Sequence, residues 1–266
     1  MIRHPLVRFG LFAVAVVLWV FLLVPLGHSF VATSLLTAAS FFGATATMLA
    51  VDHRGPAFIG LSFERGWLTQ SLGGFAIGCA SIAVAVAPII FVGRCPSLDS
   101  GWTPRQWLSA IALFFVAAVG EELLFRGYGF QRLVESIGAL PALVALALFF
   151  GAAHLNNPNR SWPGAVNTVL VGFVFGYAYL RTRRLWLPIG WHWGWNITEA
   201  SLGFPVSGIR MGGVPLHAES APPVWLTGGA YGPEASVAVT MVLVASLILV
   251  LRMKQAEGKA GRENEA

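Results

Sequence analysis

Two adjacent glutamates close an apolar run, and an arginine follows the second by one helical turn. The stretch reads Leu113-Phe-Phe-Val-Ala-Ala-Val-Gly-Glu121-Glu122-Leu-Leu-Phe-Arg126-Gly127. An ionisable group deep in a hydrophobic span costs roughly 2.5–3.5 kcal/mol on insertion scales, so such a set persists where its members pair and are used. Later apolar runs are interrupted by His154, and by His192 with Asn196 one turn beyond it. Carboxylates and imidazoles are the common general acids and bases, so the set suggests an enzyme whose active site lies inside a membrane. At about 100° per residue, Glu122 and Arg126 share a helix face in the favourable order. Glu121 points about a quarter-turn away. Arg126 therefore neutralises Glu122 and leaves Glu121 less compensated, the state a general base requires.

The elements that carry these groups are membrane helices. The chain has 266 residues, 56% of them hydrophobic and 11% charged, with a mean hydropathy of +0.70. Ordinary soluble domains carry about 25% charged residues, so a typical soluble domain and a disordered chain are both excluded. The composition reads as one all-α polytopic membrane domain over residues 1–266, with a polar site inside the bundle. The net charge of +5 does not point to nucleic acid, because the basic residues cluster at the ends of apolar runs and form no platform with aromatic residues. Two cysteines, Cys79 and Cys95, make neither a thiolate metal site nor a disulfide framework. The N-terminus, Arg3 to Arg8 and then an apolar run from Leu11, resembles a signal peptide. It continues into Pro25 and a second apolar run with no small-residue cleavage site, and reads as a retained first span.

Runs long enough for helices of about 20 residues fall near residues 8–27, 30–51, 71–93, 104–125 and onward, 139–157, 163–181, 185–203 and 233–252. About eight spans are expected, with both termini on one side. With the N-terminus inside, Arg3, Arg8, Arg54, Arg65, Arg126, Arg132, Arg181, Arg183, Arg184, Arg252, Lys254, Lys259 and Arg262 are cytoplasmic, thirteen of the 17 basic residues. Arg94, Arg105, Arg160 and Arg210 fall outside. The positive-inside rule then places both termini in the cytoplasm of an integral membrane protein. Residues 52–70 read either as an interfacial helix or as an irregular loop. Residues 203–233 form a Gly- and Pro-rich outer loop, and 253–266 a disordered cytoplasmic tail.

A fourth helix continued through Glu135, turning back at Ser136–Pro141, places Glu121 and His154 at equal distances from the turn and so side by side in a hairpin. Each polar group also has a structural reading. A Glu–Arg pair holds a helix together, a lone membrane histidine packs helices, and Asn196 bridges them. His192, within Trp191-His-Trp193-Gly-Trp195, fits an aromatic belt. The conjunction in three convergent spans favours chemistry. Glu199 shares a face with His192, Asn156, Asn157 and Asn159 mark an interface, and Gly172 and Gly176 form a close-packing G-x-x-x-G.

Glu121-Glu122-x-x-x-Arg126, Phe150-x-x-x-His154 and His192-x-x-x-Asn196 resemble the three motifs of the CAAX prenyl endopeptidase and bacteriocin-processing (CPBP) intramembrane proteases. Gly172-Phe-Val-Phe-Gly176-Tyr-Ala-Tyr-Leu-Arg181 and Leu185-Trp-Leu-Pro188 share the family's look, so the resemblance covers about residues 100–200. It implies an all-helical membrane endopeptidase acting on a membrane-associated protein or peptide near the bilayer surface. By that resemblance Glu121 with His154 activates the attacking water, His192 and Asn196 stabilise the oxyanion, and Glu122 with Arg126 shapes the site. No cofactor is favoured. Zinc is the alternative, and would draw its ligands from Glu121, Glu122, His154 and His192, in the first instance Glu121, His154 and His192. H-E-x-x-H is absent from the sequence. Two other classes of function stay open: a non-enzymatic immunity or partner-binding membrane protein, and a proton-coupled transporter. The lack of an internal repeat weakens the transporter.

Overall fold

A computed structural model describes residues 4–92, 96–99, 101–218 and 223–254. Arg3, Arg94, Cys95, and the tail from residue 255 with its expected disorder lie outside the described residues. The long elements are α1 (Pro5–Leu23), α2 (Phe30–Val51), α3 (Trp67–Phe91), α4 (Pro104–Arg126), α5 (Tyr128–Ile137), α6 (Ala139–His154), α7 (Trp162–Thr182) and α8 (Trp186–Ser201). A short α9 (Val224–Thr227) and then α10 (Val237–Arg252) complete the bundle. Their starts are written locally. Pro5 and Pro104 occupy first-turn positions, where a missing N–H costs nothing. Ser29, Thr103, Ser161 and Ser236 cap α2, α4, α7 and α10 through their hydroxyls.

The apolar runs coincide with helices. Among the described residues, five helical stretches are long and apolar enough to cross a membrane: Pro5–Leu26, Phe30–Val51, Trp67–Phe91, Pro104–Ile137 and Trp162–Thr182. The apolar helices α6 and α10 are shorter. Helix α8 is buried along most of its length. Residues 52–66 resolve the two readings of that segment largely as irregular chain. Gly55, Pro56 and Gly60 permit only a single 3₁₀ turn at Pro56–Ile59. The turn is tied down at its C-terminal end: Ile59 is buried, and the Gly60 carbonyl accepts from Leu185 N–H.

Helix α4 does not run on to Glu135. It stops at Gly127, whose ψ of −134° leaves the helical region, and α5 begins again at Tyr128. A Cβ at Gly127 would collide with the Leu123 carbonyl, so only glycine accommodates the bend. The reversal falls at Gly138, with φ +87°, inside the expected turn.

Behind α8 the packing is unusually close. A Cβ on Gly74 or Gly78 of α3 would meet the backbone of Leu187 or Trp191 of α8. One on Gly190 or Gly194 of α8 would meet the backbone of Ser71 or Phe75 of α3. Each helix thus presents a G-x-x-x-G to the other, and their main chains touch. His192 lies between the two α8 glycines, about 200° around the helix from Gly190. The face zipped to α3 is therefore opposite the face that carries His192 and Asn196.

Two ends of the bundle are distinct. At one, Asp52 receives Arg8 at 2.9 Å and Arg132 at 2.8 Å, with the Tyr128 hydroxyl at 2.6 Å. Arg184 donates to the Arg65 carbonyl, and Arg181 to that of Leu251. At the other end β1 (Ser97–Leu98) pairs antiparallel with β2 (Leu216–His217). There residues flanking α8 and α10 fold back against the helices. Phe204, Val206, Tyr231 and Ala235 are buried, and Asn157 and Asn159 donate to the carbonyls of Ser207 and Gly208 at 3.1 Å each. Non-helical backbone is tolerated at this position because protein surrounds it.

Candidate active site

Helix α4 delivers Glu121, Glu122 and Arg126 in its last two turns. Glu122 is fully buried and Arg126 nearly so. Arg126 Nη1 donates to Glu122 Oε1 at 3.1 Å, the expected pairing, and Nη2 donates to the Gly172 carbonyl of α7 at 3.2 Å. The guanidinium is also packed among rings, 4.8 Å from the centroid of Phe150, 5.5 Å from Phe175 and 5.8 Å from Phe125. Arg126, counted with the cytoplasmic residues on sequence grounds, thus belongs to the site: its charge is balanced internally and never reaches the rim.

Helix α8 brings His192 to the same carboxylate. His192 Nδ1 donates to Glu122 Oε1 at 3.0 Å, and Nε2 lies 3.8 Å from Glu121 Oε2. Glu122 Oε1 therefore receives both Arg126 and His192. Glu121 Oε2 has no hydrogen-bond partner among the described residues, and its side chain, 31% exposed, borders a cavity. Glu122 Oε2 is also without a hydrogen-bond partner among the described residues, but Glu122 is fully buried, and of the two carboxylates it is Glu121 that borders the cavity.

His154, at the end of α6, donates from Nδ1 to the Phe150 carbonyl at 2.9 Å. A carbonyl can only accept, so this bond assigns the proton to Nδ1 and leaves Nε2 with a lone pair. Helices α4 and α6 meet through rings, with Phe125 and Phe150 centroids 4.7 Å apart. Glu121 is one turn from Phe125 and His154 one turn from Phe150, on the same side of that contact because the helices are antiparallel. The two residues border one shared space. Their helices are not packed side by side as a simple hairpin implies. Helix α4 lies against α2 and α8, and α6 against α7 and α5.

The shared space is a cavity of about 600 Å³ bordered by Glu121, His154, His192 and Asn196. Four of the six residues singled out in the sequence thus reach one surface, and Glu122 and Arg126 support it from beneath. The tryptophans around His192 do not form a lipid-facing belt. Trp191 and Trp195 are buried, and Trp193 Nε1 donates to the Ile111 carbonyl at 3.0 Å. Glu199 is fully buried and accepts from Trp195 Nε1 at 3.1 Å, and it is not part of the cavity wall.

Sequence reasoning missed the opposite wall. Glu234 borders the cavity together with Ser207 and Asn167. Its Oε2 accepts from the Ser207 N–H and hydroxyl at 2.7 and 2.6 Å, and its Oε1 faces Trp195 Nε1 at 3.2 Å. Buried Asn167 donates to the carbonyls of Glu234 and Ser236 and accepts from Thr240. The signal available was one acidic residue in a Gly- and Pro-rich loop, which carries no spacing pattern.

Among the described residues no three His, Cys, Asp or Glu side chains converge closely enough to hold a metal ion. Glu122 and the Nδ1 of His192 are engaged with each other, and Arg126 already supplies a cation there.

Residues 103–198 match the family model described as type II CAAX prenyl endopeptidase Rce1-like. No curated protein and no solved structure gives a significant match to the chain.

Proposed function

We propose, from the premise of the match between residues 103–198 and the Rce1-like family of CAAX-type proteases, that this membrane protein is an intramembrane endopeptidase using a glutamate-activated water. The observation that carries the reading is the convergence of Glu121, His154, His192 and Asn196, drawn from α4, α6 and α8, on one cavity.

The charges balance without further assumption. Arg126 opposes Glu122. His192 donates from Nδ1 to Glu122, so it can donate from Nε2 only as an imidazolium, and that second charge is opposed by Glu121 at 3.8 Å. A water held between Glu121 and Nε2 of His154 loses a proton to Glu121 as its oxygen attacks the substrate carbonyl carbon. Negative charge moves from Glu121 to the tetrahedral oxyanion, where His192 Nε2–H and the Asn196 amide donate to it. The net charge of the site is the same before and after, which matters in a low-dielectric interior. Glu121 then returns its proton to the amide nitrogen, the C–N bond breaks, and a carboxylic acid and an amine leave, the acid's remaining proton passing to the amine to give carboxylate and ammonium. The substrate is a membrane-associated protein or peptide.

The test is cleavage of a panel of membrane-tethered fluorogenic peptides by the purified protein. Turnover that vanishes in Glu121→Gln, with helix content and thermal unfolding retained, supports the proposal. Equal turnover in Glu121→Gln overturns it.

A further inference from the structure

The residues lining the catalytic cavity reach the end of the bundle that carries fewer basic residues. Its wall includes Phe30, the first residue of α2, Asn157 beyond the end of α6, and Ile209 and Met211 of the loop after α8. These positions share the end marked by the Ser97–His217 pairing and the Asn157–Ser207 bond. A second, smaller cavity around Thr103, Arg105 and Met211 adjoins it there. Towards the opposite end the cavity is closed. Phe125, Phe150 and Phe175 form its floor, and the Arg126 guanidinium lies against all three rings. None of the residues of that far end, from Asp52 to Trp67 or from Thr182 to Trp186, contributes to the wall.

The far end is where the cations are. Arg8, Arg54, Arg65, Arg132, Arg184 and Arg252 flank the helix termini there, joined by the Asp52 cluster and the Arg184–Arg65 and Arg181–Leu251 contacts. Arg105, Arg160 and Arg210 are the basic residues described at the cavity end. The retention of Lys and Arg on the cytoplasmic side of short loops sets orientation. The closed, basic end is then cytoplasmic and the cavity mouth is extracytoplasmic.

We infer that the site receives substrate from the extracytoplasmic side, so that its substrates are membrane-anchored or translocated polypeptides whose cleavable segment lies in the outer half of the bilayer. The inference rests on the endopeptidase reading for its substrate class. The direction of access rests on geometry and charge alone.

Thiol labelling separates the two. In a Cys79→Ala, Cys95→Ala background, Met211→Cys reports the mouth and Ala57→Cys, on the exposed loop between α2 and α3, reports the basic end. A membrane-impermeant maleimide applied to intact expressing cells should modify Met211→Cys, and Ala57→Cys only after permeabilisation. Modification of Ala57→Cys in intact cells, or of Met211→Cys only after permeabilisation, overturns the inference. A lipid-tethered fluorogenic peptide added to right-side-out vesicles should be cleaved, with cleavage lost when it is added to inside-out vesicles. Cleavage confined to inside-out vesicles overturns the inference and leaves the endopeptidase standing. External labelling of Met211→Cys without cleavage in either preparation upholds the direction of access and sinks the endopeptidase.

Discussion

His192 Nδ1 and Arg126 Nη1 meet at a single oxygen, Glu122 Oε1, at 3.0 and 3.1 Å. One carboxylate therefore fixes the orientation of the imidazole and neutralises the guanidinium, while its neighbour Glu121 faces the cavity with an unpartnered oxygen. Adjacent residues of one type are assigned different work by a rotation of about 100° around the helix.

That division predicts different signatures for two isosteric changes. Glu121→Gln should abolish turnover and leave the unfolding midpoint in detergent nearly unchanged, since the side chain borders a cavity and its approach to His192 Nε2, at 3.8 Å, is longer than a hydrogen bond. Glu122→Gln should abolish turnover and also destabilise, because Arg126 and His192 would lose the negative charge they share. Breaking a buried pair by removing one partner costs about 3–5 kcal/mol. Equal unfolding midpoints for the two variants would contradict the roles given to them.

The oxyanion donors should show in kcat more than in KM. His192→Ala and Asn196→Ala should each slow the chemical step by about 10²–10³-fold, as loss of one such donor does, with substrate binding little changed because the contacts tighten in the transition state. Dialysis against a strong chelator should leave activity intact. If activity instead disappears and returns with added zinc, His192 is a metal ligand and the donor assignment fails.

Glu234 offers a check on the wall that sequence reasoning did not find. It gathers the N–H and hydroxyl of Ser207 with the indole of Trp195, joining the loop after α8 to the chain before α10. Glu234→Ala leaves the Ser207 N–H without that acceptor and Trp195 Nε1 with Glu199 in its place, and an unmet buried donor costs about 1–3 kcal/mol. The expected result is a raised KM and faster proteolysis between residues 203 and 236, with kcat falling less than in Asn196→Ala. A KM equal to that of the unaltered protein would show that this wall does not shape the substrate's path.

The candidate site was legible because its residues violate their surroundings. Charged and imidazole side chains in apolar runs, spaced one helical turn apart, declare a face through their spacing alone. The count of residues to the turn assumed one helix through Glu135, which the bend at Gly127 breaks, yet Glu121 and His154 border the same cavity. That bend was not legible, because a glycine inside an amphipathic pattern is tolerated as often as it breaks a helix. The placement of Glu234 on the cavity wall rests on pairings such as that with Asn167, 67 residues away, for which local sequence offers no periodicity. Gly172 and Gly176 were recognised as a packing motif, and they do press against Ala147 and Leu143 of α6. The two G-x-x-x-G motifs that bring α3 onto α8 were equally visible and went unremarked.

Those glycines provide a test with its control one residue away. A Cβ at Gly74 would strike the Leu187 carbonyl, whereas one at Gly73 meets nothing within 4 Å. Gly73→Ala should therefore be neutral, or stabilising by about 0.5–1 kcal/mol from the helix preference for alanine. Gly74→Ala and Gly194→Ala must push α3 and α8 apart, at a typical overpacking cost of about 1–3 kcal/mol. The consequence reaches the chemistry because His192 and Asn196 ride on the face of α8 opposite this contact. A displacement of about 1 Å at a catalytic group costs on the order of 10²-fold in rate, so kcat should fall in Gly74→Ala and Gly194→Ala under conditions where both remain folded. The combination of unchanged kcat with lowered stability would mean that the contact holds the bundle together without setting the position of His192. Retention of both in Gly74→Ala would mean that the two main chains are not in contact at all.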